Sequence, residues 1–153
     1  MIKEITNIPE LDESTSFMMG LAGKQFRTQA NQTLNTEFDI TLEMLGLLRV
    51  LAHLGVVPQQ TLSDALHRER SVTKRLVDHV IKRGLIEVHK NELNKKARYI
   101  GLTEKGMEIK EKASHCLKQI TADYFSPLAS DEQDLLRTLC KKLIRYNMVS
   151  NNE

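Results

Sequence analysis

Lys74 and Arg75 are the residues whose type and spacing best suit them to do chemistry. They fall in residues 71–83, where apolar side chains recur with a helical period. Taken at about 100° per residue, Val72, Thr73, Leu76, Val77, Val80 and Ile81 fill one arc. Ser71, Lys74, Arg75, Asp78 and Lys82 fill the opposite arc. Such a helix seats one face in a core and offers the other to a groove. Arginine can grip guanine through two parallel hydrogen bonds, and lysine can meet a base or a phosphate. Asp78, set among cations, is expected to orient a neighbouring Arg or Lys.

The surroundings supply the elements that position this helix. A shorter helical pattern, residues 59–66, precedes it across a turn, 67–70, that adds Arg70. Lys82 and Arg83 suit the negative end of the helix dipole, and Gly84 suits a left-handed stop. Two strand patterns follow, 85–90 and 98–102, joined by a polar tip, 91–97, that carries Lys95 and Lys96. The order reads as a helix-turn-helix followed by a β-hairpin wing. Both devices present cations to DNA, one in the major groove and one beside it. The candidate DNA contacts are Arg70, Ser71, Lys74, Arg75, Lys95 and Lys96, with Ser71 equally suited to cap the helix.

Charge is concentrated on the same segment. Residues 67–100 hold ten Lys/Arg against four Asp/Glu, so the overall net charge of +2 conceals a strongly basic stretch. Residues 1–40 are net acidic and residues 101–153 balance. Clustered cations neutralise phosphates and release counterions, which gives affinity for any DNA sequence.

Other chemistries find little support. No Gly-rich phosphate loop, GxSxG or suggestive carboxylate pair is present, so an enzyme is not expected. The five histidines are scattered, with no CxxC, HxH or HExxH spacing, so neither a metal nor a cofactor is expected. Cys116 and Cys140 lie in helical patterns and suit packing in a reducing cytosol. No apolar run approaches the roughly 18 residues a membrane span needs. The acidic N-terminus has no apolar signal core, so a cytoplasmic protein is expected. Aromatic residues make up 5% and Trp is absent, which argues against a stacking platform for single strands.

The expected fold class is mostly α with a small β-hairpin. Residues 1–12 read as an irregular lead. Helices follow over about 14–34, capped by Ser14 or Ser16, and 42–54, capped by Thr41 and stopped by Gly55. The helix over 59–66 is entered at Pro58. After the recognition helix and hairpin come a helix over 103–125, capped by Thr103, and one over 130–148. The last opens with a capping-box pattern, Ser130-Asp131-Glu132-Gln133. The winged helix-turn-helix spans about 41–103. The terminal helices, about 14–34 and 103–148, carry apolar stripes that such a core cannot cover, and mutual burial in a two-fold homodimer is expected. Met18 and Met19 suit that packing or an adaptable pocket.

These residues together resemble the MarR family of bacterial winged-helix transcription regulators. Residues 76–86, LVDHVIKRGLI, are similar to the family's LVDRLEKRGLI, and residues 91–103, NELNKKARYIGLT, to its DPxDRRAxxVxLT. Thr103-Glu104-Lys105-Gly106 looks like its LTEKG junction, and residues 130–147 like its C-terminal dimerisation helix. The resemblance covers nearly the whole chain in order and spacing. It implies one MarR-like domain over 1–153 and a homodimeric repressor on a pseudo-palindromic double-stranded operator. It also implies a small-molecule effector bound between the dimer helices and the winged helix. Two features depart from the pattern. Asn94 and Lys96 stand where the family usually has Asp and Arg, which removes an ionic brace and the planar fork of Arg. His67-Arg68-Glu69-Arg70 stands where the family often has a Gly-hydrophobic pair. The family's thiol sensors use an N-terminal cysteine, which this chain lacks. The alternative readings are a thiol- or metal-sensing regulator, or a winged-helix protein–protein module without DNA binding.

Overall fold

The computed structural model describes residues 8–145. A four-residue helix, α1 (Pro9–Asp12), replaces part of the expected irregular lead. Proline suits a helix start because its missing N–H would be unsatisfied there anyway. The long α2 (Thr15–Phe38) is capped by Ser14, whose Oγ accepts the Phe17 N–H at 3.2 Å. It outruns the expected end at residue 34. Ala30 and Leu34 are buried, and Phe38 one turn later still packs on the core. Asp39, left-handed at φ 54°, then ends it.

Helix α3 (Leu42–Leu54) starts at Thr41 as expected, and Thr41 Oγ1 accepts the Met44 N–H at 3.1 Å. Asn31 of α2 accepts the Leu42 N–H at 2.7 Å, so the two helices share a cap. Pro58 precedes α4 (Gln59–Leu66). The recognition helix α5 runs Arg70–Lys82, with Glu69 rather than Ser71 at its N-cap position. The preceding turn explains the shift. His67 adopts φ 52°, and the Arg68 N–H returns to Ser63 O at 3.0 Å, so the chain is extended again by Glu69 and free to restart a helix. Ser71 therefore lies inside the first turn. Gly84, at φ 71°, supplies the expected left-handed stop.

The sheet has three antiparallel strands, β1 (Val57–Pro58), β2 (Ile86–His89) and β3 (Tyr99–Leu102), in the order β1-β3-β2. Strands β2 and β3 are the expected hairpin. Strand β1 is additional, and it pairs Val57 with Ile100. Pro58 has no N–H to donate, which suits its place on the sheet edge.

Thr103 caps α6 (Glu104–Phe125) by accepting the Gly106 N–H at 3.0 Å. The start of α6 is also joined to the end of α5. The Thr103 N–H donates to Leu85 O at 3.1 Å, its Oγ1 to Gly84 O at 2.8 Å, and Lys105 Nζ to Arg83 O at 3.3 Å. Gly106 allows this approach, since a Cβ there would collide with the Leu85 carbonyl. Helix α7 (Ser130–Leu143) begins from Ala129, not from a Ser130 cap. Alanine has no acceptor, so only the reciprocal half of the box forms: Glu132 Oε1 accepts the Ala129 N–H at 2.9 Å. Residues 146–148 of the expected helix lie outside the described residues.

One core joins helices α2 to α6 and the sheet, with Leu34, Leu48, Leu62, Val77, Ile100 and Leu117 among its members. Each such burial stabilises by about 1.5–3 kcal/mol. Tyr124 of α6 donates its hydroxyl to Ala22 O of α2 at 2.6 Å and packs edge-on against Phe26. Helix α7 has no buried residue.

Candidate nucleic-acid interface

The two arcs of α5 are used as the periodicity requires. Thr73, Val77 and Val80 are buried, and Val72, Leu76 and Ile81 half-buried. Arg70, Ser71, Lys74 and Arg75 are exposed along the opposite face. Arg75 makes no hydrogen bond or ion pair among the described residues, which leaves its whole guanidinium for an external acceptor.

Lys74 belongs to a network. Its Nζ lies 3.1 Å from Asp78 Oδ2, one turn later. The other carboxylate oxygen, Oδ1, accepts from Arg98 Nη1 at 2.8 Å, and the same Nη1 donates to Gln59 Oε1 at 3.1 Å. The Gln59 N–H in turn donates to Arg98 O at 2.7 Å. The hydrogen bond from Arg98, followed by that from Lys74, holds the Asp78 carboxyl below its usual 3.8. Asp78 thus orients neighbouring cations, as its setting suggested. Sequence reasoning gave no role to Arg98 or Gln59, because their partners lie 20 and 39 residues away along the chain.

The network puts the base of the wing beside the outer face of α5. Lys95 and Lys96 stand exposed at the wing tip and join no ion pair among the described residues. Asn91 Oδ1 accepts the Leu93 N–H at 2.9 Å, and Asn94 Oδ1 accepts the Lys96 N–H at 3.3 Å. These are Asx-type turns, in which a short side chain stands in for a backbone acceptor. Asn94 supplies the acceptor that an aspartate would supply there, without its charge.

Two other cations of the segment, Arg68 and Arg83, are structural. Arg68 Nε pairs with Glu43 Oε1 at 3.0 Å and docks the turn on α3. Arg83 pairs with Asp39 Oδ2 at 3.5 Å and also donates to the Asp39 carbonyl, tying the end of α5 to the end of α2. His67 holds the left-handed turn that glycine would adopt more cheaply.

A cleft of about 870 Å³ lies between α2 and α6, lined among others by Gln29, Thr33, Glu37, His115, Cys116 and Gln119. No residue of 41–103 lines it; Arg49 of α3 instead joins Glu111, Ser114, His115 and Lys118 of α6 around a second cleft of about 510 Å³, between the winged helix and a terminal helix. Cys116 Sγ donates to Glu37 Oε2 at 3.7 Å. Burial, then the charge and hydrogen bond of Glu37, push this thiol above its usual 9.0. A reactive sensor needs the thiolate, which this setting opposes. Cys140 is half-buried. Among the described residues, no group of three or more His, Cys, Asp or Glu could hold a metal ion, and no helix is long and apolar enough to cross a membrane.

No protein-family profile matches the chain. The HTH-type transcriptional regulator BilQ of Clostridium symbiosum is 30% identical over 102 residues, which cover 65% of this chain and 71% of BilQ. The structure of a MarR mutant from E. coli complexed with operator DNA matches with TM-score 0.79 and 21% identity, over 85% of this chain and 93% of that one. The structure of BpsR from Bordetella bronchiseptica, whose DNA binding is regulated by 6-hydroxynicotinic acid, matches with TM-score 0.80 and 18% identity, over 86% and 94%. The helix-turn-helix, its basic outer face and the hairpin define a winged-helix protein of the transcription-regulator class. Within that class the chain belongs to the MarR family.

Proposed function

We propose that this protein is a ligand-responsive, sequence-specific regulator of transcription, a repressor that binds double-stranded DNA as a homodimer. The observation that carries the reading is the bonded path Lys74–Asp78–Arg98, which sets the basic face of α5 beside a wing tipped by two lysines. In this reading α5 enters the major groove. Lys74 and Arg75 meet base edges, Arg70 and Ser71 lie at the groove-facing N-terminus, and Lys95 and Lys96 meet phosphates or the minor groove.

The terminal helices make the dimer. Leu135 and Leu143 of α7 are 56% and 63% exposed, and Phe17, Met18 and Met19 of α2 are exposed as well. Such apolar rows are costly in water, and a two-fold partner would cover them while doubling the DNA footprint. Half-sites about one helical turn, 34–36 Å, apart follow from that symmetry. A ligand in the α2–α6 cleft that favours another spacing of the recognition helices would release DNA by population shift. The bonds from Thr103 and Lys105 to the end of α5 would transmit such a change from α6.

Titration of a labelled random-sequence duplex at rising salt tests the DNA-binding claim. Log affinity should fall linearly with log salt, by about 0.9 for each phosphate neutralised. A folded protein that fails to bind at about 50 mM salt, where such contacts are strong, would overturn it.

A further inference from the structure

We propose that Arg98 is a positioning residue for DNA readout, holding the outer face of α5 in register with the wing through Asp78. The proposal rests on the DNA-binding reading above and deepens it. Arg98 stands immediately before β3, at the base of the wing. Its carbonyl accepts the Gln59 N–H at 2.7 Å, which fixes its backbone to the start of α4. Its Nη1 divides between Gln59 Oε1 at 3.1 Å and Asp78 Oδ1 at 2.8 Å. Asp78 Oδ2 then takes the Lys74 ammonium at 3.1 Å. One side chain therefore ties together the first helix of the helix-turn-helix, the recognition helix and the wing.

The degree of shielding fits a positioning role. The Arg98 and Asp78 side chains are 34% and 37% exposed, whereas Lys74 is 65% exposed. The inner pair is sheltered enough to keep one geometry, and the outer lysine remains free to reach DNA. An isolated surface pair holds little energy. Its value here lies in order: a lysine already aimed by Asp78 loses less freedom when it meets a base or phosphate. The guanidinium plane can serve two acceptors in fixed directions, which an ammonium cannot do in the same way.

Two simpler roles make opposite predictions. If Asp78 were only a negative charge near anionic DNA, Asp78→Asn would tighten binding to every sequence. If Arg98 were only a phosphate contact, Arg98→Met would weaken every sequence alike and reduce the salt slope by about 0.9 per contact.

The experiment selects a preferred duplex from a random pool with the parent protein. Affinity for that duplex and for a scrambled one is then measured for the parent, Arg98→Met, Asp78→Asn and the double variant. The preferred-to-scrambled ratio should fall roughly tenfold in each single variant and little further in the double, as for residues acting as one unit. Affinity for the scrambled duplex should barely change, and Arg98→Lys should not restore the ratio. Melting curves report whether each variant folds. Should Arg98→Met unfold, the near-isosteric Asp78→Asn decides alone, by lowering the ratio or leaving it intact. Losses that simply add, or tightening on both duplexes by Asp78→Asn, would overturn the proposal. A parent that binds DNA but selects no duplex would overturn sequence-specific readout and the positioning role with it, and one that binds no DNA would overturn the DNA-binding reading itself. A parent that selects one, while the variants keep its ratio, would overturn positioning alone.

Discussion

Replacing Gly106 with alanine probes how α6 is joined to the recognition helix. A Cβ at Gly106 would stand 2.9 Å from both the Leu85 carbonyl carbon and Leu102 Cδ1, and closer still to the Leu85 oxygen. The Leu102 side chain can swing aside. The Leu85 carbonyl cannot, because it follows the left-handed stop at Gly84 and Leu85 itself is buried. The same carbonyl accepts the Thr103 N–H at 3.1 Å, and the Gly84 carbonyl accepts Thr103 Oγ1 at 2.8 Å. The first turn of α6 must therefore lift, stretching both bonds. Each bond is worth about 0.5–1.5 kcal/mol, and forcing an extra carbon into a packed site costs about 1–3 kcal/mol. The better helix propensity of alanine returns about 1 kcal/mol. The net expectation is a loss of about 3 kcal/mol. For a chain of this size that lowers the melting temperature by about 6–12 °C. Far-UV circular dichroism at one fixed chain concentration measures it, since melting coupled to any self-association depends on concentration. A melting temperature within about 2 °C of the parent, less than 1 kcal/mol on this scale, would refute the close-approach argument.

Further outcomes follow from the interface. Arg75→Ala should cost about 1–3 kcal/mol on the preferred duplex and much less on a scrambled one; equal losses in an anisotropy titration would demote Arg75 to a phosphate contact. Lys95→Ala with Lys96→Ala should weaken all duplexes alike and lower the salt slope by about 0.9 per lost contact, whereas an unchanged slope would place the wing off the DNA. The Cys116 thiol, held above its usual 9.0, should react with maleimide at neutral pH more slowly than a free cysteine, and replacing Cys116 and Cys140 with serine should leave the response to peroxide unchanged. DNA release by peroxide in the parent alone would revive a thiol sensor. The Asp78 carboxyl is depressed below its usual 3.8, so its stabilising contribution is full above that pH and is lost as pH falls through the folded value. Asp78→Asn should therefore flatten the acid limb of a stability-against-pH curve below 3.8, and an unaltered limb would mean that the ion pairs add nothing.

Much of this molecule was legible where local chemistry dictates structure. The period of residues 71–83 placed Val77 and Val80 inside and Lys74 and Arg75 outside, because a 3.6-residue repeat leaves few ways to bury a helix. Thr41, Thr103 and Gly84 marked element ends because their side chains, or the lack of one, meet a specific backbone need. Two-residue β1 was not legible, since two residues show no alternation and Pro58 argues against a strand unless it lies on an edge. Ala129 was hidden in the same way, because an N-cap without a polar side chain leaves no signal while Ser130 beside it leaves a false one. The candidate contacts on α5 and the wing could be named from residue type. The clamp at Arg98 could not, because it depends on the fold bringing Gln59 and Asp78 together across long separations.

Sedimentation of the protein with its selected duplex is the most direct test of the central claim, that two copies of this chain read one two-fold symmetric DNA site. The account predicts a complex with two 17.5 kDa chains per duplex, on a sequence whose inverted half-sites lie about 10 base pairs apart. A single chain bound to an asymmetric site, or a pool from which no sequence is enriched, would contradict it.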